Sequence, residues 1–542
     1  EVNVAAASGV AHLLAPIDVY GQVLITKGIL NANARLTLLS SQSESASIGP
    51  INTEAHIEGE VQVQHYISGD FPNPATARGW RLLSSPVFNH LANGTKYYDY
   101  GAFKKSMFVT GKGGTANGFD QSPLNGNTIF THDQSLPGTL SQKFVPIESM
   151  HSKSETGKGV YVFSRGSRNA DNAYASQIEK APFSNPSGYT ITHIGQVHYG
   201  SLTVAVANKG NSEDGDGFNL LGNPYPATLT WGALHKTNLN PFIWMFDPLN
   251  NSYFVSDDPA TLIPPGTGFF VKVNSRRTSG SVTFTEGAKF SGAVAASMST
   301  GSEKSDYIVP KKAIAQLVVS LKREKFKQEY KLLFTNSGKD EVNDQDALKI
   351  GDGFVNIAGM AGDTKLSIDE RAAIQDSKQV KLYVNGWASG GYTLEIKGIE
   401  SFGDMEVTLA DNYTNKQQIL TANNSLYQFN IDTNDPRSFG TARFIIQFAQ
   451  KKQDAIPRET SMVVYPNPFL DKLYIRTNQD SFAGAVAIVR NILGKVVLKE
   501  QINPEFNNQE IDTTSLPPGA YLFQLIDPAI NKTLATFKVL KN

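Results

Sequence analysis

The chain has 542 residues, of which 40% are hydrophobic and 18% charged, and its formal net charge is −1. At roughly 150 residues per domain this length predicts three or four domains, and the near-zero charge gives no electrostatic reason to expect nucleic acid or an anionic membrane as a partner. The absence of cysteine excludes disulfides and thiol chemistry, and no apolar run approaches the ~20 residues of a membrane span.

The residue types favour β-structure throughout. The chain contains 46 Gly, 26 Pro, 30 Phe and 20 Tyr, and short runs rich in Val, Thr, Ile and aromatic residues alternate with Gly, Asn and Pro clusters. Such runs are typical of strands separated by turns. We therefore predict an all-β, multidomain protein. Its first residue, Glu1, is not an initiating Met with a basic segment behind it, so we expect a mature or excised product.

Residues 1–58 have a spacing that suits stacked rungs. The segment HLLAPIDVYGQVLITKGILNANARLTLLS places apolar residues at close, regular intervals, with Gly21, Gly28 and Asn31 between them. A few coils of a β-solenoid give this spacing, and such coils bury their faces only by stacking on a neighbour. We assign residues 1–58 as β-solenoid-like rungs, and an ordinary β-meander is the alternative.

Residues 59–300 contain two sequence patterns that each occur twice, in the same order. GWRLLSSP at 79–86 and GFNLLGNP at 217–224 share Gly, an aromatic residue, a Leu pair and Pro. GKGVYVF at 157–163 and GTGFFVK at 266–272 share Gly-x-Gly, an apolar residue, an aromatic residue and Val. The intervening lengths differ, as loop lengths readily do. We predict a duplicated all-β domain, and a chance likeness of strand-turn units is the alternative.

Residues 301–450 show alternating strands separated by turns, which predicts a β-sandwich. The charged run at 322–331 keeps its apolar residues at even spacing, so we interpret it as a solvated strand face rather than a helix. Only the segment SIDERAAIQDS at 367–377 favours a short helix. The polar stretch at 451–462 predicts a linker before a last unit at 463–542.

The last unit begins with VVYPNPFLDKLYIRTN. Pro466 and Pro468 fix their own φ, donate no N–H and push the residue before each towards extended conformations. The Pro-Asn-Pro segment around Asn467 therefore cannot lie inside a central strand. We predict that it leads into the first strand of a small domain.

Three further motifs follow in this unit. GAVAIVRNILGKVVLKE predicts a hairpin with an Asn-x-x-Gly turn, SLPPGAYLFQL predicts a bend before a strand, and TLATFKVLKN closes the chain with basic residues. About 80 residues suffice for one small sandwich. These motifs contain Asn491, Gly494, Pro518, Gly519, Tyr521, Lys538 and Lys541.

Residues 463–542 resemble the type A C-terminal sorting domain of the type IX secretion system of Bacteroidetes. The likeness rests on YPNPF, N-x-x-G-K-x-V, LPPGAYLFQL and the basic close FKVLKN, in that order. The resemblance implies an Ig-like sandwich that acts as a folded export signal. It also implies three partners: an outer-membrane translocon, its β-barrel shuttle, and a surface sortase-like peptidase that often removes the domain and attaches the cargo to lipopolysaccharide.

Patterns before the linker resemble other cargo of this system. GWRLLSSPV, GFNLLGNPYP and IPPGTGFFVKV are similar to segments of large Bacteroidetes surface proteins, as is a β-sandwich just before the sorting domain. This second resemblance implies export through the periplasm to the cell surface. It leaves the activity of the exported part open.

The sequence lacks the common catalytic motifs. There is no G-x-S-x-G and no H-E-x-x-H, and all nine His fall at or before His235. His193 and His198 are an odd number of positions apart, so one strand would point them to opposite faces, which argues against a joint metal site. A glycosidase needs two carboxylates about 5 to 10 Å apart, which a sequence with 50 Asp and Glu leaves open. We predict a protein without enzymatic activity.

Two acidic loops are candidates for Ca²⁺, the one cofactor considered. Asp214 and Asp216 in SEDGDGF, and Asp344 and Asp346 in NDQDALKIGDG, have alternating oxygen ligands, but neither loop has the distal bidentate Glu of a complete site. Acidic residues that cap local N–H groups in turns are the other interpretation.

We predict a secreted, cell-surface structural or adhesive protein, an adhesin or filament component exported by the type IX system. The alternative is a secreted hydrolase or carbohydrate-binding accessory protein. We expect self-association or attachment through residues 1–58, because uncapped rungs leave unpaired backbone groups and apolar area facing water. The ligand, the oligomeric state, the cleavage of the sorting domain and a longer repeat region before Glu1 are open at the level of sequence.

Overall fold

The structure, a computed structural model, describes residues 2–69, 78–181, 183, 185–210, 215–290, 314–374, 378–451, 462–477, 485–503, 508–528 and 532–542, with side chains from residue 9. It is 53% strand and 7% helix, which confirms the predicted all-β, multidomain class. The chain divides into two compact units, Glu1–Gln450 and Lys451–Asn542. No helix among the described residues is both long and apolar enough to cross a membrane.

Three stacked rungs form the beginning of the first unit. Two parallel sheets run through them: β3 pairs with β1, β5 and β6 in one, and β4 pairs with β2 and β7 in the other. Apolar residues at alternate positions of these strands form one core, which includes Val23, Ile25, Leu36, Leu38, Ile57 and Val61. The strands are β1 (Val2–His12), β2 (Ile17–Val19), β3 (Gln22–Asn31), β4 (Leu36–Leu38), β5 (Ser47–Ile48), β6 (Ala55–Glu58) and β7 (Glu60–Ile67).

In its described residues, the middle of the first unit contains short strands, a few 3-10 and π turns and one α-helix, α1 (Gly101–Ser106). The strands before residue 200 are β8 (Gly79–Leu83), β9 (Val87–His90), β10 (Lys96–Asp99), β11 (Ile129–His132), β12 (Phe144–Pro146), β13 (Lys153–Glu155), β14 (Val160–Ser164) and β15 (Tyr189–Val197). Those after it are β16 (Leu202–Ala207), β17 (Phe218–Gly222), β18 (Leu229–Thr230), β19 (His235–Thr237), β20 (Ile243–Asp247), β21 (Ser252–Ser256), β22 (Leu262–Ile263), β23 (Gly268–Lys272) and β24 (Ser279–Phe284).

The four segments that carry the two repeated sequence patterns form two equivalent strand pairs. The first copy pairs β8 with β14, with Leu82 opposite Tyr161. The second pairs β17 with β23, with Leu220 opposite Phe270. These are corresponding positions of the patterns, so the two pairs have the same register.

Equivalent hydrogen bonds also connect the two copies. The N–H of Ser84 in the first copy donates to the carbonyl of Gly266 in the second, at 2.7 Å. The N–H of Gly222 donates to the carbonyl of Gly157 at 2.9 Å, and these two residues correspond to Ser84 and Gly266. Each copy therefore donates the equivalent hydrogen bond to the other, and the two copies are related by approximate two-fold symmetry.

The last part of the first unit is one 11-stranded sheet around a single core. The sequence predicted a sandwich for this region, which would have two sheets. The structure has one sheet, whose two edge strands, β33 and β34, follow each other in the chain. A short turn joins them, and the Gln418 side chain donates to the Leu426 carbonyl there at 3.1 Å. The strands are β25 (Ala315–Arg323), β26 (Phe326–Thr335), β27 (Ala347–Leu348), β28 (Val355–Ala361), β29 (Thr364–Ala372), β30 (Lys378–Gly386), β31 (Gly390–Lys397), β32 (Met405–Asp411), β33 (Lys416–Leu420), β34 (Leu426–Ile431) and β35 (Gly440–Gln450).

The short helix predicted at 367–377 is wrong. Residues up to Ala372 belong to β29, which is hydrogen-bonded to β26 on one side and β28 on the other. The charged residues of this segment that the structure describes are buried in the sheet, and Arg371 Nε donates to Asp369 at 2.9 Å. Positions 375–377 lie outside the described residues.

The second unit contains two sheets that pack on one core. β37 lies between β36 and β40 in the first sheet, and the second has the order β39-β38-β41-β42. The core is apolar and includes Leu473, Ile475, Ala487, Val489, Phe523 and Leu525. The strands are β36 (Met462–Tyr465), β37 (Lys472–Thr477), β38 (Val486–Asn491), β39 (Val496–Gln501), β40 (Asn508–Asp512), β41 (Gly519–Asp527) and β42 (Lys532–Lys541).

Candidate functional site

The Pro-Asn-Pro segment ties the beginning of the second unit to its last strand. Pro466 and Pro468 flank Asn467, whose amide nitrogen donates to the carbonyl of Lys538 at 2.9 Å. Its Oδ1 accepts from the backbone N–H of Leu540 at 2.8 Å. Because neither proline has an N–H to donate, the asparagine side chain supplies much of the polar contact between this segment and β42.

The turn between β38 and β39 is built by an asparagine and a glycine. Asn491 Oδ1 accepts from the N–H groups of Leu493 at 3.1 Å and Lys495 at 3.0 Å. Gly494 has a φ of +78°, a conformation that glycine adopts without steric penalty. Its N–H donates to the Asn491 carbonyl at 2.9 Å. The two motif residues therefore fix the turn and leave the residues between them at its tip.

The bend before β41 is held by Tyr521. Its hydroxyl donates to the carbonyl of Pro517 at 2.5 Å, across Pro518 and Gly519. The ring of Tyr521 is buried and lies 6.4 Å from the ring of Phe469, measured between centroids. The tyrosine therefore couples the bend to the segment that leads into the unit.

The two lysines of the final motif have different surroundings. Lys541 is buried, and its ammonium donates to the carbonyl of Thr513 at 2.6 Å. Lys538 is exposed. Asp512 comes directly before Thr513, whose carbonyl accepts from Lys541. Hydrogen bonds from the hydroxyl and the N–H of Thr514 hold the pKa of Asp512 below its usual value. Lys541 therefore fastens the last strand to the loop before the bend, and Lys538 presents its charge to solvent.

All four motifs meet at one end of the second unit. Asn491, the last residue of β38, is opposite Tyr521. Gly519, the first residue of β41, is opposite Lys541, which also forms a parallel bridge with Phe469. We call this end, where these five residues lie, the motif end.

The motif end carries exposed apolar side chains that sequence reasoning missed. Ile492 and Leu493 at the tip of the turn are 83% and 86% exposed, Leu470 is 65% exposed and Leu540 44%. A pair of adjacent apolar residues inside an Asn-x-x-Gly turn was the signal that could have found them. Exposed apolar side chains grouped at one end of a small domain are typical of a contact surface.

The first acidic loop is partly described. Asp214 lies outside the described residues. Asp216 Oδ1 accepts from the buried Lys143 ammonium at 3.0 Å, and its backbone carbonyl accepts from Lys272 at 2.5 Å. Lysine ammonium groups therefore occupy oxygens that a Ca²⁺ site would use.

The second acidic loop uses its carboxylates as caps. Asp344 accepts from the N–H and the hydroxyl of Ser275 at 2.9 and 3.0 Å. Asp346 accepts from the N–H groups of Asn343 and Glu370, both at 2.8 Å, while burial raises its pKa to about 6. Within the described ranges no group of three or more His, Asp or Glu is placed to hold a metal ion.

Comparison with known proteins identifies the second unit. Residues 463–537 match the family model described as the secretion system C-terminal sorting domain. No curated protein matches the chain. Among solved structures, the chain is similar to dimeric latent PorU from Porphyromonas gingivalis, at 12% identity, over 66% of this chain and 36% of that one, with a TM-score of 0.14.

The family match covers the first three of the four motifs that meet at the motif end and stops at residue 537, before Lys538 and Lys541. It indicates the export route of the chain, and residues 1–462 lie outside the matched range. The chain carries a C-terminal sorting domain of the type IX secretion system and is a cargo protein that this system exports to the cell surface or the medium.

Proposed function

We propose that the exported chain is a structural or adhesive component of the cell surface that assembles through the outer edge of its first rung. The sorting domain is recognised at the motif end by the outer-membrane translocon and its β-barrel shuttle, and a surface sortase-like peptidase removes it. An Ig-like topology of this domain, and the boundaries 1–58, 59–300, 301–450, 451–462 and 463–542, are part of the same proposal.

The observation that carries the surface role is the open edge formed by β1 and β2. Each is the terminal strand of its sheet among the described residues. On the other side of the stack, the sheet that contains β2 and β4 continues, since β7 pairs with β15. The first rung therefore presents backbone N–H and C=O groups that have no neighbouring strand in the described part of the chain.

Apolar side chains accompany this open edge. Leu14 is 81% exposed, Tyr20 67%, Val10 45% and Ile17 37%. A further rung, stacked on this edge at a spacing of about 4.8 Å, would cover these exposed apolar side chains. Unpaired strand edges with apolar side chains are templates for pairing with another chain. The occupant that fits best is the same edge of a second copy, which offers the same backbone groups and the same apolar residues.

The test changes two exposed residues of this edge and leaves the rung core intact. We expect the parent chain to self-associate with rising concentration in sedimentation velocity, and the variant Leu14→Glu with Tyr20→Lys to remain a monomer, because charges on an edge oppose strand addition. Leu124→Glu is the matched control: Leu124 is 92% exposed and lies outside the rungs, so this variant should associate like the parent.

A parent chain that is monomeric at every concentration would contradict the assembly proposal. The alternative, a secreted hydrolase or carbohydrate-binding accessory protein, predicts cleavage or binding of a glycan by such a monomer. Incubating the full chain with polysaccharides and following the release of reducing ends separates the two functions.

A further inference from the structure

A cleft of about 550 Å³ opens beside the first of the two equivalent strand pairs. Its walls come from distant parts of the sequence that the first unit brings together: β8 and β14, the turn between β20 and β21, and the residue before β28. This volume is in the range of sites that hold ligands of several rings. The side chains that line it include Arg78, Trp80, Phe163, Phe183, Asn251 and Phe354.

The aromatic rings of the cleft are held in fixed positions. Trp80 and Phe163 are directly opposite each other in the β8/β14 pair. Trp80 stacks on Tyr161, with 4.3 Å between ring centroids and 11° between planes, and Phe163 meets Trp80 edge-on at 5.2 Å. Phe183 is 41% exposed. The cleft therefore offers aromatic surface whose orientation is set by the sheet.

The aromatic surface continues beyond the cleft. The ring centroids of Phe354 and Trp387 lie 5.8 Å apart, and Trp387 is 48% exposed. The backbone N–H of Trp387 donates to the Phe354 carbonyl at 3.0 Å. The guanidinium of Arg323 lies 5.5 Å from the Trp387 ring. We call the cleft together with Trp387 and Arg323 the aromatic-arginine strip.

One guanidinium group, that of Arg78, lines the cleft and has no acidic partner among the described residues. The Arg78 guanidinium carbon lies 3.8 Å from the Phe183 ring centroid and 5.8 Å from that of Phe163. Its Nη2 donates to the Gln177 carbonyl at 3.2 Å, while its Nε is buried without a hydrogen-bond partner in the described part of the chain. Arg165 does not line the cleft, because its guanidinium donates to the hydroxyls of Thr128 and Thr110 at 2.8 and 3.4 Å. Burial lowers the pKa of Arg78.

We propose that the aromatic-arginine strip binds an acidic polysaccharide, with sugar rings packed on Trp80 and Trp387 and a carboxylate or sulfate group on Arg78. The C–H faces of sugar rings pack on aromatic surface, and a guanidinium binds a carboxylate or a sulfate through two parallel hydrogen bonds. The Asn251 amide adds a donor and an acceptor for sugar hydroxyls.

The charges of the strip argue for an anionic rather than a neutral saccharide. A neutral sugar would leave the partly buried guanidinium of Arg78 without an anionic partner, and an anionic sugar supplies one. The aromatic faces argue for a ring polymer over a flexible acidic peptide, which has no rigid apolar faces to stack. The inference rests on the adhesive part of the proposed function and names the class of its ligand.

The experiment is titration calorimetry of the full chain in the Leu14→Glu, Tyr20→Lys background, so that self-association does not contribute. The probes are an oligogalacturonate, a heparin oligosaccharide, a neutral cello-oligosaccharide of equal length and poly-glutamate of equal charge. We expect binding of one or both acidic saccharides, and a loss of at least about tenfold in affinity for Arg78→Gln, since the loss of one charge-assisted pair is worth about that factor.

Two further variants make the result specific to the strip. Trp387→Ala should weaken the same binding without changing the fold, because its ring is half exposed, and Arg276→Gln with Arg277→Gln should leave it unchanged, because both arginines lie exposed in a loop away from the strip. Binding that is equal for the neutral probe or for poly-glutamate, or that survives the Arg78 change, would overturn the proposal, as would no binding of either acidic saccharide. Self-association of the parent is measured separately, so the two proposals fail independently.

Discussion

At the scale of single residues, buried histidines make the stability of the first unit depend on pH. His193 in β15 is 2% exposed, its ring meets Phe103 edge-on at 5.4 Å, and its Nε2 has no hydrogen-bond partner among the described residues. Burial, with a smaller contribution from His65, lowers the pKa of His193 to about 3. In the unfolded chain the pKa of histidine is about 6.5.

The sign of the effect follows from these two values. Between pH 6.5 and about 3 the unfolded state binds a proton that the folded state does not, so the stabilising contribution is complete above pH 6.5 and is lost as the pH falls. We expect His193→Gln to reduce the slope of the unfolding free energy between pH 6 and 4.5 by up to about 1.4 kcal/mol per pH unit. Urea titrations at several pH values measure this slope.

The slope separates a protonation effect from a general loss of stability. His193→Gln shifts the whole curve if the new side chain packs poorly, but only the loss of the titrating group changes its steepness. His235→Gln, in an exposed ring position, is the matched control and should keep the parent slope. An unchanged slope in His193→Gln would contradict the account.

At the scale of elements, the reciprocal hydrogen bonds between the two strand pairs require a residue without a side chain at one of two positions that face each other. A Cβ on Gly222 would lie 2.2 Å from Cβ of Ser84, its counterpart in the other copy, and 2.8 Å from the Lys158 carbonyl oxygen. Ser84 uses the space, since its hydroxyl donates to the carbonyls of Asn223 and Thr267. Only one of the two equivalent positions can therefore hold a side chain.

We expect Gly222→Ala to lower the free energy of unfolding by about 1–3 kcal/mol, as overpacking of a filled site does. Adding Ser84→Gly should recover part of the loss, because it removes the closer of the two contacts. Denaturant midpoints of the single and double variants measure this coupling. Gly126→Ala, where an added Cβ meets nothing within 4 Å, should be neutral, and a Gly222→Ala variant as stable as the parent would refute the argument.

The same scale shows what the sequence could and could not predict about the fold. The repeated patterns lie in strand pairs of equal register, which local periodicity and turn residues indicate. The charged segment in β29 misled the prediction because Asp369 and Arg371 neutralise each other inside the sheet, and Tyr330 from β26 donates to Asp369 at 2.9 Å. A partner 39 positions away along the chain is not visible in local periodicity.

For the candidate site, the sequence located the motifs and the structure located their common end. Asn467, Asn491 and Tyr521 were found from motif spacing, and each has the backbone hydrogen bonds that such a residue offers to a turn or a loop. The exposure of Ile492 and Leu493 depends on which way the turn projects from the sheet. That direction follows from the packing of β38 against β41 and not from the motif.

At the scale of the whole molecule, the chain consists of a folded passenger and a separate folded signal. The sorting unit has its own apolar core and its own pair of sheets, so changes at its surface leave the passenger intact. We therefore expect export to depend on the surface of the second unit, and the proposed surface role to depend on the first.

The most direct test of this account changes the exposed tip of the turn at the motif end. In a bacterium with a type IX system, surface delivery of the chain is measured by protease accessibility on intact cells and by fractionation of the periplasm. Val463→Ser, on a strand of the same unit with 51% of its side chain exposed, is the control and should be delivered like the parent. The account predicts that Ile492→Ser with Leu493→Ser accumulates as a folded protein in the periplasm, as deletion of 463–542 does, and normal surface delivery of that variant would contradict it.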